Sequence, residues 1–186
     1  TISEIVLNEL EWYKENGIKL HTGKQIKTID RVKRKVIAED GTEEEYDRLL
    51  IATGSTPFML PIPGNDLPGV IGYRDIKDTD EMIEAARLHK HAVVIGGGLL
   101  GLEAANGLKL RGMDVTVVHL GPWLLERQLD EVAGKMLQKS LEDKGLKFLL
   151  QKQTEMLVQG ESGRVAAVRF KDGMQIPADL VVMAAG

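Results

Sequence analysis

The fold is decided by residues 93–103, which read VVIGGGLLGLE. The stretch carries the pattern G-x-G-x-x-G at Gly96, Gly98 and Gly101, after an apolar run and before a helix-forming run. In a dinucleotide-binding loop the first glycine permits a tight turn, the second leaves room for a pyrophosphate, and the third lets the helix approach the strand. The pyrophosphate lies on the free amides at the helix N-terminus. The pattern therefore predicts a dinucleotide site, and the alternative is a glycine-rich turn without a ligand.

The residues on either side of this loop predict alternating strands and helices. The expected elements are a helix at 79–89, a strand at 92–95, a helix at 98–111, a strand at 114–118, a helix at 130–144 and a strand at 146–150. Asp78 and Glu81 have capping-box spacing for the first of these helices, and Asp130 can cap the last. A β-meander and an apolar strand at 180–185 follow. Such alternation is typical of an α/β, Rossmann-like domain with a parallel sheet.

The first part of the chain predicts a different arrangement. The expected elements are an amphipathic helix at 3–16, capped by Ser3 and ended by Gly17, and three strands near 25–31, 34–39 and 43–51. Asp40-Gly41 is a hairpin turn signal. Residues 49–52 are continuously apolar, as in a strand buried on both faces. Four prolines between residues 57 and 68 indicate a linker, so the boundary between two domains is predicted near residue 71.

Composition excludes several classes of protein. The formal net charge of −4 and the 4% of aromatic residues argue against a nucleic-acid-binding protein. There is no cysteine, so the chain holds no disulfide, zinc–thiolate site, cysteine-bound iron–sulfur cluster or cysteine nucleophile. The longest apolar run, 92–102, has 11 residues, whereas a membrane-spanning helix needs about 20. The N-terminus lacks both a signal-peptide pattern and a Met, so we expect a cytoplasmic protein cut from a longer one.

The sequence alone does not decide whether the coenzyme is NAD or NADP. An acidic residue about 20 positions after the loop usually binds the adenine ribose of NAD. His119 stands there at the end of the second strand, and a histidine can tolerate the 2′-phosphate of NADP. Arg127, eight residues on, could bind that phosphate, and the alternative is a surface cation at a helix entry.

A second stretch, ATGSTP at 52–57, extends the argument to the whole chain. Together with the glycine loop it resembles the FAD- and NAD(P)-dependent pyridine nucleotide–disulfide oxidoreductase superfamily, in the order meander, ATGS strand, Pro-rich linker and fingerprint domain. Within that superfamily, residues 126–130 (ERQLD) and the strand at 181–186 look like the large subunit of NAD(P)H-dependent assimilatory nitrite reductases. Flavoprotein reductases of rubredoxin and ferredoxin share much of this pattern.

The resemblance implies an internal fragment of an oxidoreductase. Residues 1–71 would be a partial FAD-domain segment and residues 72–186 an NAD(P)-binding domain. Hydride would pass from NAD(P)H to FAD, and electrons onward to an acceptor, with nitrite favoured. Sirohaem and an iron–sulfur cluster would lie outside this chain. The alternative from another class is a non-catalytic NAD(P)-binding module.

The resemblance also assigns cofactor-binding roles, but no catalytic or metal-binding residue. The Leu99 and Leu100 amides would face the pyrophosphate, and Glu103 would lie by the nicotinamide amide; the alternative for Glu103 is an acid favoured by the helix dipole. The predicted cofactor-binding residues are Gly96, Gly97, Gly98, Leu99, Leu100, Gly101, Glu103, His119, Arg127 and Gly186, with Thr53 and Gly54 on the FAD side. Expected partners are the pyridine nucleotide, the remainder of the same enzyme or a small subunit, and a second copy in a homodimer. Neither nucleic acid nor a membrane is expected.

Overall fold

The computed structural model describes residues 6–185; residues 1–5 and 186 are not described. The chain folds as two compact units, Thr1–Gly54 and Ser55–Gly186. The division falls before the Pro-rich segment, whereas the sequence placed the boundary near residue 71. The reason is that this segment is bonded to the second unit: the carbonyls of Pro63 and Pro68 accept hydrogen bonds from the amides of Leu157 and Val165. Which cofactor each unit serves stays a prediction.

The first unit contains a short helix and a three-stranded antiparallel sheet. The elements are α1 (Leu10–Glu15), β1 (Ile26–Asp30), β2 (Lys35–Ala38) and β3 (Glu43–Glu45). The turn between β2 and β3 contains Gly41 at a φ of 84°, in the left-handed region that favours glycine. The antiparallel pairing of β2 with β3 confirms the hairpin expected at Asp40-Gly41.

Over the described residues, the first helix is shorter than the predicted helix at 3–16. Among the described residues the helix begins at Leu10, and the predicted cap, Ser3, lies outside them. Glu9 precedes α1 without making a side-chain capping bond, and no residue of α1 is buried. Short helices depend on the burial of an apolar face, so nothing here holds residues 6–9 in a helix.

The strand predicted at 49–52 is also absent from the described structure. β3 ends at Glu45, and no regular element follows before residue 54. Leu50 is 88% exposed and Ile51 is 65% exposed. A strand requires a neighbour to satisfy its backbone amides and carbonyls, and none of the described segments pairs with these residues. Apolar composition alone therefore did not produce a strand.

The second unit is built on a five-stranded parallel sheet of order β4-β11-β5-β6-β7. These strands are β4 (Val70–Gly72), β5 (His91–Ile95), β6 (Asp114–His119), β7 (Lys147–Leu150) and β11 (Leu180–Met183). Their parallel pairing confirms the predicted α/β sheet. β4 was not predicted, since it stands at the end of the segment taken as a linker.

Helices connect these strands: α2 (Ile76–Leu88), α3 (Leu99–Leu110) and α4 (Glu131–Asp143). α4 begins at its predicted cap, because Asp130 accepts a hydrogen bond from the Ala133 amide. The predicted cap of α2 is wrong: the capping box is formed by Asp75 and Asp78, so the helix begins before residue 79. The sequence offers the same three-residue spacing at Asp75–Asp78 and at Asp78–Glu81, and spacing alone does not distinguish them.

The parallel sheet is covered on both faces. The meander of β8 (Thr154–Gln159), β9 (Val165–Phe170) and β10 (Gln175–Pro177) covers one face, where Val93 packs in a cluster with Phe170. α3 covers the other, where Val94 packs in a cluster with Leu108. Successive side chains of a strand point to opposite faces, so both faces of β5 are buried. This explains the continuous apolar run before the glycine loop.

Candidate dinucleotide-binding site

A cleft of about 330 Å³ lies at the carboxyl ends of β5, β6 and β11. Open parallel α/β sheets bind ligands at this edge. The cleft is lined by Gly96, Gly97, Gly98, Leu99, Leu100, His119, Leu125, Glu126, Arg127, Gln128, Ala184 and Ala185. The structure thus brings together the glycine loop, the end of β6, the turn after β6 and the residues after β11.

Two of the three fingerprint glycines are fixed by packing. Gly96 has a φ of 132°, and a Cβ there would lie 2.4 Å from the Ala184 carbonyl oxygen. A Cβ on Gly101 would lie 2.0 Å from the Gly96 carbonyl oxygen. These distances are far below van der Waals contact, so Gly96 and Gly101 are required for the loop to pack on β11 and for α3 to approach β5.

Gly98 is different, because a Cβ there would meet no protein atom within 4 Å. Its backbone is extended, with a φ of −83°, so the fold itself does not require glycine at this position. Gly98 precedes the first turn of α3, whose amides have no partner within the helix. Open space in front of unpaired amides and a positive helix dipole fits a pyrophosphate. The loop therefore fits the group that its sequence predicted.

His119 is held in place by hydrogen bonds on both ring nitrogens. The Gly97 amide donates to its Nδ1 over 3.2 Å, and its Nε2 lies 2.7 Å from the Glu126 Oε2 atom. An Nδ1 that accepts a hydrogen bond carries no proton, so Nε2–H donates to the Glu126 carboxylate. Both ring nitrogens are thus bonded within the protein, and the His119 side chain is only 11% exposed.

Glu126 lines the cleft, although it was not among the predicted site residues. Partial burial raises the pKa of its carboxyl, but hydrogen bonds from its own amide and from His119, together with the positive charge of Arg127, hold that pKa below the usual value. Glu126 is therefore ionised at neutral pH. One signal in the sequence could have found it, a carboxylate in the turn that follows the strand ending at His119.

The turn carrying Glu126 is locked to the glycine loop. Leu125 has a φ of 55°, which is uncommon for a branched side chain, and it is buried. Its amide donates to the Gly97 carbonyl over 3.1 Å. Gly97 is thus bonded to His119 through its amide and to Leu125 through its carbonyl, so the loop and the turn form one wall.

The remaining predicted residues lie in several places. Arg127 is exposed and lines the cleft. Glu103 is exposed on α3 and is not part of the cleft lining. Thr53 and Gly54 are exposed residues of the first unit, and Gly186 is outside the described residues. Their roles toward a cofactor stay predictions.

Residues 6–185 lack two other features, a membrane-spanning helix and a cluster of metal ligands. No helix in that range is both long enough and apolar enough to cross a membrane. In the same range, no three or more His, Cys, Asp or Glu side chains cluster as metal ligands would.

The glycine loop at the carboxyl edge of a parallel sheet defines a dinucleotide-binding α/β protein. Residues 2–186 match the family described as pyridine nucleotide-disulphide oxidoreductase, and the chain belongs to that family. This confirms the superfamily inferred from the two motifs.

Within this family, the chain is similar to individual proteins of nitrite and nitrate reduction. The chain is 55% identical over 185 residues to a nitrite reductase [NAD(P)H] of Bacillus subtilis, covering 100% of this chain and 23% of that protein. It is 46% identical over 188 residues to an assimilatory nitrate reductase electron transfer subunit of the same organism, covering 100% of this chain and 24% of that protein. The chain thus spans about a quarter of the length of these curated relatives.

Solved structures agree on the fold. A ferredoxin reductase from Rhodopseudomonas palustris superposes with a TM-score of 0.93 at 29% identity, covering 99% of this chain and 45% of that one. The Rossmann-like fold predicted from the alternation of strands and helices is therefore confirmed.

Proposed function

We propose that this chain is the dinucleotide-binding portion of a flavoprotein NAD(P)H oxidoreductase, which passes hydride from NAD(P)H to FAD and electrons onward to nitrite. The observation that carries the proposal is the open space at Gly98. A glycine that the fold does not need, placed at a helix N-terminus inside a cleft, is explained by a ligand that must approach the backbone.

The residues of this chain bind and orient the dinucleotide. Amides of the first turn of α3 donate to the pyrophosphate, and the close contact of Gly96 with Gly101 keeps loop and helix in register. Hydride transfer is supplied by the two cofactors when they are bound, so the protein contributes position and electrostatics. Glu103 at the nicotinamide end, Gly186 nearby, and Thr53 and Gly54 on the FAD side belong to the same proposal.

Sequence similarity supports nitrite as the terminal acceptor over rubredoxin or ferredoxin. Identity reaches 55% with the nitrite reductase, against 29% with the ferredoxin reductase. Sirohaem and an iron–sulfur cluster would belong to other parts of such an enzyme, because this chain has no cysteine to hold a cluster. We place the enzyme in the cytoplasm, with the rest of the same protein, a small subunit or a second copy as partners.

Binding is tested by calorimetric titration of the chain with NADH and with NADPH. We expect Gly98→Ala to raise the dissociation constant of the bound dinucleotide at least about tenfold, because its Cβ enters the pyrophosphate position. Gly107→Ala is the matched control: Gly107 lies in the same helix and also has free space around its Cβ. Unchanged binding by Gly98→Ala, or no binding by the wild-type chain, contradicts the proposal.

Hydride transfer is a separate test on the flavin-containing protein. Reduction of an artificial acceptor at the expense of NADH supports the oxidoreductase. A colourless protein that binds NADH and reduces no acceptor supports the alternative, a non-catalytic NAD(P)-binding module.

A further inference from the structure

We propose that Glu126, oriented by His119, binds the adenine ribose hydroxyls and makes the cleft select NADH over NADPH. The inference rests on the proposed function, since it assumes that the cleft holds a dinucleotide. In the usual fingerprint, a carboxylate at the end of the second strand binds the adenine ribose. Here that role falls to a carboxylate in the turn after β6.

His119 stands at the end of β6, where the usual fingerprint has a carboxylate. Its Nδ1 accepts from the Gly97 amide, and its Nε2–H is directed at Glu126. Both ring nitrogens are therefore occupied within the protein. With both nitrogens bonded within the protein, the ring has no N–H left to donate to a 2′-phosphate. His119 neither binds the ribose hydroxyls itself nor favours NADPH.

The carboxylate that His119 holds belongs to Glu126. Glu126 Oε2 lies 2.7 Å from His119 Nε2, so the carboxylate is beside the end of β6, where the ribose of a dinucleotide lies. Its side chain is 36% exposed and lines the cleft. A carboxylate has about four acceptor sites, and His119 and the Glu126 amide use two of them. Glu126 thus retains acceptors for two vicinal hydroxyls.

The charge of Glu126 distinguishes the two coenzymes. The depressed pKa of Glu126 keeps it ionised. A 2′-phosphate in the same position would place two like charges in contact, which is unfavourable, whereas a 2′-hydroxyl donates to the carboxylate. Arg127 also lines the cleft, and it is the residue that could favour NADPH instead. The structure favours Glu126 because it is fixed to the strand end through His119.

The pair formed by His119 and Glu126 is closely packed. A Cβ on Gly121 would lie 2.7 Å from His119 Nε2 and 3.1 Å from Glu126 Cδ. The left-handed backbone of Leu125 precedes Glu126, and the Leu125 amide is bonded to the glycine loop. Strained backbone that the surrounding structure holds in place is typical of functional sites. The carboxylate is therefore positioned before any ligand arrives.

The test measures dissociation constants for NADH and NADPH with the wild-type chain, Glu126→Gln and the control Glu142→Gln. Glu142 is an exposed residue of α4 outside the cleft, and its substitution removes the same charge. We expect the wild type to prefer NADH. We expect Glu126→Gln to weaken NADH binding about tenfold without weakening NADPH binding, and Glu142→Gln to leave both unchanged.

Two results overturn the inference while leaving the proposed function intact: an unchanged ratio of the two constants in Glu126→Gln, or a wild-type preference for NADPH that Arg127→Gln abolishes. Failure of the wild type to bind either coenzyme overturns both proposals. If Glu126→Gln lowers thermal stability, Glu126→Asp serves as the second variant. It keeps the charge but withdraws it from His119, and we expect the same fall in the NADH preference.

The positioning role of His119 is tested by a double-mutant cycle. We expect His119→Phe to reduce the NADH preference in the wild-type background and to have no further effect on that ratio in Glu126→Gln, because its effect passes through Glu126. Equal losses of the NADH preference in both backgrounds would show that His119 does not act through Glu126.

Discussion

Gly101→Ala tests whether the contact between α3 and the glycine loop stabilises the second unit. A Cβ at this position would lie 2.0 Å from the Gly96 oxygen and 2.9 Å from the Gly96 carbonyl carbon, whereas ordinary contact begins at 3.4 Å. Both atoms are backbone, so neither can rotate away as a flexible side chain would. The strand or the helix must shift within a core packed on both faces of the sheet.

The expected magnitude combines two opposing effects. Overpacking a core costs about 1–3 kcal/mol, and a rigid backbone neighbour favours the upper end of that range. Alanine in place of glycine in a helix returns about 0.5–1 kcal/mol. We therefore expect Gly101→Ala to lower the free energy of unfolding by about 2 kcal/mol, which for a chain of this size lowers Tm by about 4–8 °C.

The assay is urea denaturation followed by far-ultraviolet circular dichroism, with Gly107→Ala as the control. Gly107 lies six residues further along α3, and a Cβ there meets nothing within 4 Å. The control is expected to be more stable than wild type by about 0.5–1 kcal/mol. The reasoning is refuted if Gly101→Ala unfolds at the same urea concentration as Gly107→Ala.

Two further predictions concern acidic side chains of the second unit. Burial raises the pKa of the Asp179 carboxyl, but hydrogen bonds that it accepts from the amides of His91 and Lys90, together with nearby positive charge, hold that pKa below the usual value. A carboxyl group with a lowered pKa stabilises the fold above its unfolded pKa. We therefore expect Asp179→Asn to lower the free energy of unfolding by about 1 kcal/mol at pH 7. Urea denaturation across the pH range should show the difference from wild type shrinking below about pH 4. Asp75→Ala removes the cap of α2 and is expected to cost about 1 kcal/mol by the same assay, whereas Asp80→Ala, exposed on the same helix, costs less; equal losses would contradict the capping role.

Local features of this protein follow from the sequence because they depend on neighbouring residues. The tight turn of the glycine loop, the cap of α4 at Asp130 and the hairpin at Gly41 each involve residues within a few positions of one another. The apolar run of β5 indicated burial on both faces, and the structure supplies both covering layers. Motif and periodicity were sufficient for the family and for most strands of the parallel sheet.

The tertiary structure decided what depends on distant partners. Residues 49–52 have the composition of a buried strand but no neighbour among the described segments, and a strand without a neighbour leaves its backbone groups unpaired. The Pro-rich segment joins the second unit because β8 and β9 supply donors to its carbonyls. Glu126 reaches the end of β6 because Leu125 adopts a left-handed backbone held by Gly97. No sequence period specifies that conformation, since the contacts that hold it come from another loop.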